Sequence, residues 1–451
     1  MNAIYQQLRL HGDIFVAIAL GGCLIVDQWA ISILSIFLAL LFIFSTFRSI
    51  WHSIVNFNPR LFRTRRGIYY NVKLSYAILL FPLILWHADS RSGMETPLKS
   101  VLVSYVLVMN IDRHRWSPLV YGVAIGAMVA LAYGVLEFGI FGIDRPAGET
   151  NRFGMIAVWL GSICAVSLVC ANGNRVATAL SSAGFLCGIG ACLISGSRGA
   201  LVMLPLTAAI LAPALWMRSR RLCLAVAASL AILAGGVLII NVGNLSDRMT
   251  IAYTDISAML SGRESDDGSV VDEEIMAARR SDTDRIKMLA LAYRLFQEHP
   301  VLGVGANGWN EATSKLAVAP NPDDRIERPY NQAHNQYADD LAKGGIVGLL
   351  LGLSILFVPL FLFLKAAPFS GHEGSPFALA GLVTSANFIV SCLSESLLIL
   401  SLPMTLHAML MFYLLAGCDE AQRETAAGAH IQAEGGGRGD GQKSNHFSFL
   451  G

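Results

Sequence analysis

Charge is what this sequence has least of. Its 451 residues carry 33 Lys and Arg and 32 Asp and Glu, 14% of the chain, whereas soluble domains run near about 25%. With 54% apolar residues and a mean hydropathy of +0.54, so few charges cannot cover a water-facing globule. The fold class this implies is an all-α polytopic membrane protein. A net charge of +1 leaves no broad basic surface, which argues against nucleic acid as a partner. Paired cysteines are missing too. The eight (Cys23, Cys164, Cys170, Cys187, Cys192, Cys223, Cys392 and Cys418) fall almost entirely in apolar runs without CxxC spacing or a nearby His, so they imply neither a disulfide framework nor a zinc site. Repeated halves are also absent, which counts against a transporter even though Glu137 and Glu395 fall in apolar runs.

What the sequence does have is long apolar runs. A membrane helix needs about 20 such residues, and twelve runs qualify. They span approximately 13–28, 30–47, 70–87, 97–111, 118–141, 153–172, 176–194, 199–217, 222–241, 345–364, 376–397 and 399–417. Leu20-Gly21-Gly22-Cys23 loosely resembles a lipoprotein processing site, but the run continues through Ile25 and reads as an uncleaved first helix. Basic residues stay cytoplasmic in short loops, and Arg48, Arg60, Arg63, Arg65, Arg66, Arg113, Arg115, Arg175, Arg218, Arg220, Arg221 and Lys365 define one consistent face. Both termini then lie in the cytoplasm, and Arg145, Arg152 and Arg198 face the exported side.

The domain plan is therefore nine membrane helices over 1–241, an exported loop over 242–344, three more helices over 345–418, and a Gly-rich disordered cytoplasmic tail over 419–451. Of the 65 charged residues, 28 lie between 242 and 344, so the low average conceals one charged segment on an apolar scaffold. Within that loop, 281–299 reads as an amphipathic helix at a membrane surface. Ser281 and Asp284 suit a capping box, Ile286, Leu289, Tyr293 and Phe296 recur at helical spacing, and His299-Pro300 stops it. A glycine-rich turn over 303–308 and a loop to Pro329 follow. A short helix is predicted from Asn331 through His334, Tyr337 and Leu341 to the Gly344-Gly345 break.

Three constellations could carry chemistry. Ser195-Gly196-Ser197-Arg198-Gly199-Ala200 joins two spans on the exported side, where a guanidinium among small residues can clamp a phosphate or can simply snorkel to lipid. Arg285, with Arg294 beyond it, could face anionic lipid or a pyrophosphate, and a solvated helix face explains both equally well. His334 sits beside Asn335, Gln336 and Tyr337, a setting for proton transfer and equally for a packed histidine. Gly303, Gly305 and Gly308 fit G-x-G-x-x-G but follow a helix and a proline, not a strand, and read as a turn. The acidic pairs Asp282/Asp284 and Asp339/Asp340 leave metal binding open; helix-start acids are expected on dipole grounds alone, and no metal or cofactor is assigned.

In order and topology these stretches resemble the O-antigen ligase and polymerase superfamily of bacterial membrane glycan transferases. The likeness rests on Ser195–Ala200, on Glu298-His299-Pro300-Val301-Leu302-Gly303-Val304-Gly305, and on His334-Asn335-Gln336-Tyr337 through Gly344-Gly345-Ile346-Val347-Gly348. The resemblance implies a GT-C-like multi-pass inner-membrane enzyme with its active site facing the periplasm. It implies inverting, metal-independent transfer of O-antigen from undecaprenyl diphosphate to a lipid A-core hydroxyl, with membrane lipids around it. On the same resemblance His334 is the candidate base, Arg198 and Arg285 hold the donor pyrophosphate, and Arg145 and Arg152 are secondary donor contacts. Asn335, Tyr337, Trp309 and Tyr330 are candidate sugar contacts, although packing explains the aromatics as well. A polymerase extending lipid-linked glycan and a protein O-glycosylating relative share much of this pattern.

Overall fold

A computed structural model of the chain describes residues 64–87, 101, 115–139, 150–170, 174–218, 220–221, 223–224, 273–320, 325–366 and 375–435. Among them every regular element is helical. These are α1 (Arg65–Trp86), α2 (Trp116–Gly139), α3 (Thr150–Cys170), α4 (Arg175–Ser195), the single turn α5 (Arg198–Leu201), α6 (Met203–Arg218), α7 (Glu273–Glu298), α8 (Gly305–Ala317), α9 (Gln336–Lys365), α10 (Ser375–Ser391) and α11 (Ser401–Gly435). Seven helical segments among the described residues are long and apolar enough to cross a membrane, and Pro376–Ser391 is a shorter apolar helix. They account for eight of the twelve expected runs. The runs at 13–28 and 30–47 lie outside the described residues, and those at 97–111 and 222–241 almost wholly do.

The bundle is organised around α3, whose membrane-crossing stretch is 89% buried, with Met155, Trp159, Leu160 and Ile163 fully enclosed. Helix α4 can lie against it because its inner face is small. A Cβ on Gly188 would sit 2.9 Å from Gly161 Cα and 2.8 Å from the Ala157 carbonyl, so the two backbones touch directly. Close approach of this kind replaces the hydrophobic drive that a bilayer does not supply. Helices α2, α6 and α10 pack on the other sides of α3.

Four boundaries differ from those expected, each for a local reason. Helix α9 starts at Gln336 instead of 345, because Asn335 Oδ1 accepts the Ala338 N–H and caps it there. It passes through Gly344-Gly345 as a kink, and no helix forms over 331–335. Helix α10 stops at Ser391 where a span to 397 was expected; the polar run Ser391-Cys392-Leu393-Ser394-Glu395-Ser396 forms a turn that α10 and the 3₁₀ segment Leu397–Ile399 flank. Helix α11 runs on to Gly435 through a tail expected to be disordered from Asp419. Asp419 is tied to Arg65 at the start of α1, and Ala, Glu and Gln beyond it favour helix. Helix α8 occupies a stretch read as turn and loop, with Gly305, Trp309 and Thr313 buried at four-residue spacing.

Helix α7 begins at Glu273, so Ser281 and Asp284 lie within it and not at its cap. Its buried stripe is Met288, Leu291, Ala292 and Leu295, which packs with Trp309, Ala333 and Ala342 into a second, smaller core. Leu289 and Tyr293 of the expected stripe are exposed instead, at 40% and 63%. The helix thus spends one apolar face on protein.

Two glycines clasp this second core to the kink of α9. Gly345 has φ +60, and a Cβ there would lie 2.4 Å from the backbone of Val301; Gly303 has φ +65 and would meet Lys343 in the same way. The strands of chain are joined by Ile346 N–H to the Pro300 carbonyl at 2.9 Å and Val304 N–H to the Ala342 carbonyl at 2.9 Å. Gly345→Ala is expected to cost about 3 kcal/mol, from the left-handed backbone together with a backbone clash that no rotamer relieves. A thermal-unfolding scan in detergent showing wild-type stability for this variant would count against the clasp.

Candidate functional site

Glu395 is where the separate motifs meet. It sits in the turn after α10, its side chain 4% exposed, a position that an apolar sequence segment would not suggest. Its Oε1 accepts from Gln332 Nε2 and stands 3.2 Å from His334 Nδ1. Burial, the largest influence on it, pushes the Glu395 carboxyl up. The His334 hydrogen bond and charge and the charges of Arg152 and Arg285 outweigh that and leave it below the ordinary carboxylate value. The charges of a guanidinium on α3, a guanidinium on α7 and an imidazole ahead of α9 thus bear on one carboxylate after α10.

His334 is held there by its backbone. Its φ of +50 makes it the one non-glycine residue with positive φ among the described residues, a conformation that side chains with a Cβ adopt at a cost of about 1 kcal/mol. The neighbours fix that bend. Ala333 N–H donates to Asp339 Oδ1 at 2.9 Å, Asn335 caps α9 and donates through Nδ2 to the Leu393 carbonyl at 3.0 Å, and Gln336 N–H donates to the Cys392 carbonyl at 2.8 Å. The imidazole is 21% exposed and lies edge-on to the Tyr330 ring, with centroids 5.8 Å apart. One ring nitrogen is thus engaged by a carboxylate while the side chain keeps contact with the outside.

Arg285 is placed by its neighbour. Asp284 is buried on α7, and its Oδ2 accepts both the Tyr330 hydroxyl and the Glu327 N–H at 3.0 Å. Burial, together with Asp284, raises the Tyr330 phenol and keeps it a neutral donor. Asp284, read from the sequence as a helix-start acid with metal binding left open, therefore serves as the tie between α7 and the 325–334 segment. Of the other acidic pair, Asp339 takes the Ala333 N–H and Lys343 Nζ at 2.8 Å, and Asp340 takes Gln336 Nε2 at 2.8 Å.

The Ser195–Ala200 stretch abuts the same turn. Gly196, with φ +64, ends α4, and Ser197 Oγ accepts the Ala200 N–H at the start of α5 while donating to Asn151 Oδ1 at 3.2 Å. Asn151 neighbours Arg152, so the first turn of α3 and this stretch are joined directly. A Cβ on Gly199 would lie 2.4 Å from Ser394 Oγ, which puts the backbone beside Arg198 against the residue preceding Glu395. Backbone placement thus brings Arg198 into the group, although the side chain of Arg198 lies outside the described set, as does Arg145 altogether.

The expected aromatic sugar contacts are spoken for. Trp309 is fully buried, donates Nε1 to the Tyr330 carbonyl at 2.9 Å, and has Lys343 Nζ 5.7 Å from its ring centroid, so it belongs to the second core. Tyr337 donates to the Ile389 carbonyl at 3.0 Å and ties α9 to α10. Tyr330 alone of the three has its ring at His334.

Glu395 and Gln332 are the residues that sequence reading did not place in the site. The signal for Glu395 was available: three serines and a glutamate within six residues break an apolar run in a way a membrane-crossing helix does not need. Residues 183–353 match a family model described as O-antigen ligase. The matched stretch contains Arg198, Arg285 and His334 and leaves Arg152 and Glu395 outside it. No curated protein matches the chain.

Proposed function

We propose, from the premise that this chain is a member of the O-antigen ligase superfamily through residues 183–353, that it transfers O-antigen from undecaprenyl diphosphate to a hydroxyl of lipid A-core. The family supports glycan transfer of the ligase or polymerase kind in general. The observation that supports the finer reading is the 3.2 Å approach of His334 Nδ1 to Glu395, a buried carboxylate that also feels the charges of Arg152 and Arg285. In this reading the site faces the periplasm of the inner membrane and the segment 242–344 lies on that face.

The chemistry follows from the geometry. With Glu395 ionised, Nδ1 of His334 carries the hydrogen shared with it and Nε2 is left as the acceptor. Nε2 takes the proton of the acceptor hydroxyl as its oxygen attacks the anomeric carbon of the donor sugar from the side opposite the pyrophosphate. The glycosidic C–O bond breaks, its electron pair leaves on the pyrophosphate oxygen, and the anomeric configuration inverts. Arg285 and Arg152, together with Arg198 on the family resemblance, neutralise the charge that develops on the leaving group, which fixed guanidinium groups do well at a low-dielectric boundary. No step in this division of labour calls on a metal ion.

The test is reconstitution of the purified protein with undecaprenyl-diphosphate glycan and either lipid A-core or a second lipid-linked glycan. Transfer to lipid A-core in the presence of EDTA is the expected result. Elongation of lipid-linked glycan alone would replace the ligase assignment with a polymerase.

A further inference from the structure

The opposite end of the bundle carries a second built feature. Thr64 just ahead of α1, Arg65 and Ile68 of α1, Leu362 and Lys365 of α9, and Asp419, Gln422 and Arg423 of α11 line an open cavity of about 560 Å³. The apolar stretches of these three helices all end there, at Arg65, Lys365 and Arg423, so the cavity sits at a single boundary level of the bundle. Helix α9 has His334 just before its first residue and Lys365 as its last. At 1.5 Å per residue its 30 residues separate the two by roughly 40 Å, about one membrane thickness.

The lining has a charged floor and an apolar side. Arg65 Nη1 donates to Gln422 Oε1 at 2.8 Å and pairs with Asp419 at 3.3 Å, and Asp419 also accepts from the backbone N–H groups of Arg65 and Arg66 at 3.4 Å. The carboxylate thereby anchors Arg65 and caps α1, which fixes the floor before any ligand arrives. Lys365 and Arg423 stand exposed at the rim, and three cations against one carboxylate leave the cavity two positive charges in excess. Ile68, exposed at 39%, and Phe361 and Leu364 of α9, exposed at 62% and 48%, continue apolar surface away from that rim along the membrane-crossing helices.

We infer that this cavity binds the phosphate of an anionic glycerophospholipid in the leaflet opposite the His334 site. A headgroup phosphate with one or two negative charges matches the excess of the lining, and an acyl chain attached to it can run down Ile68 and Phe361. Free inorganic phosphate would satisfy the cations alone and leave the apolar side uncovered. Basic residues elsewhere, such as Arg175 at the start of α4 and Arg220 past the end of α6, attract anionic lipid only in the general way of interfacial cations.

The test is lipid retention by the purified full chain in nanodiscs of phosphatidylcholine doped with phosphatidylglycerol, read by native mass spectrometry and by the thermal shift that phosphatidylglycerol confers. The wild type is expected to keep phosphatidylglycerol, and the double variant Lys365→Gln, Arg423→Gln to bind it roughly tenfold to thirtyfold more weakly. Both substituted residues are exposed, so folding is not at stake. A control pair, Arg175→Gln with Arg220→Gln, is expected to retain wild-type binding. Equal losses in the two double variants, or no loss in the first, would overturn the pocket. Displacement of the lipid by millimolar inorganic phosphate would overturn the lipid assignment. Glycan transfer does not enter this measurement, so its outcome is independent of the reaction proposed for His334.

Discussion

His334→Ala is expected to lower glycan transfer by about 10²- to 10⁴-fold with the fold intact, because the positioned base is lost and nothing in the packing depends on the ring. The imidazole contacts Glu395 and the Tyr330 edge and is partly exposed, so its removal opens no sealed cavity. The backbone gives a sharper version of the same experiment. At φ +50 a glycine is free of the strain a Cβ brings, so His334→Gly should be more stable than His334→Ala by up to about 1 kcal/mol, while equally inactive; both lose the partner of the buried Glu395 carboxylate. Full activity in either variant would refute the proposed base.

Glu395→Gln is the second large effect. The amide keeps the size and can still meet His334 and Gln332, but it brings no negative charge to stabilise the imidazolium that forms during transfer. Activity near neutral pH is expected to fall by about 10²-fold in a transfer assay with the purified protein. The sign for stability runs separately. Glu395 is depressed in the folded protein, so the stability it contributes is present above the ordinary carboxylate value and fades as pH falls through the depressed one. Acid destabilisation over that window should be weaker in Glu395→Gln than in wild type, as a pH series of unfolding temperatures would reveal.

Sequence periodicity located the helices well because a membrane-crossing helix leaves a long apolar run, and α2, α3, α4 and α6 begin and end within a few residues of their runs. Where the chain is neither long nor apolar, the pattern gave out. Nothing in the sequence around Gly305 announces α8, since its buried face is a glycine, a threonine and one tryptophan. The kink at Gly345 was legible as a break and not as a continuation, because the Pro300 and Val301 carbonyls that satisfy the N–H groups past it come from 46 residues earlier. Trp309 and Tyr337 were candidate sugar contacts on residue type alone, and only the carbonyls they bind, of Tyr330 and Ile389, reveal them as fasteners. Glu395 was visible as a buried acid, but its partnership with His334 depends on a turn at the end of α10 that brings together residues 61 positions apart.

Because the charge of Arg152 bears on Glu395 from 243 residues earlier in the chain, the site has an assembly time as well as a geometry. At 5–20 residues per second of synthesis, a growing chain carries the Arg152 helix for roughly 10–50 s before the carboxylate that balances it has been made. During that interval Arg285 and His334 emerge in turn and also lack their common partner. Arg152 in the first turn of α3 and Arg285 midway along α7 must therefore be held by water or lipid phosphate while the last helices are synthesised, and the group is complete only with the turn that closes α10.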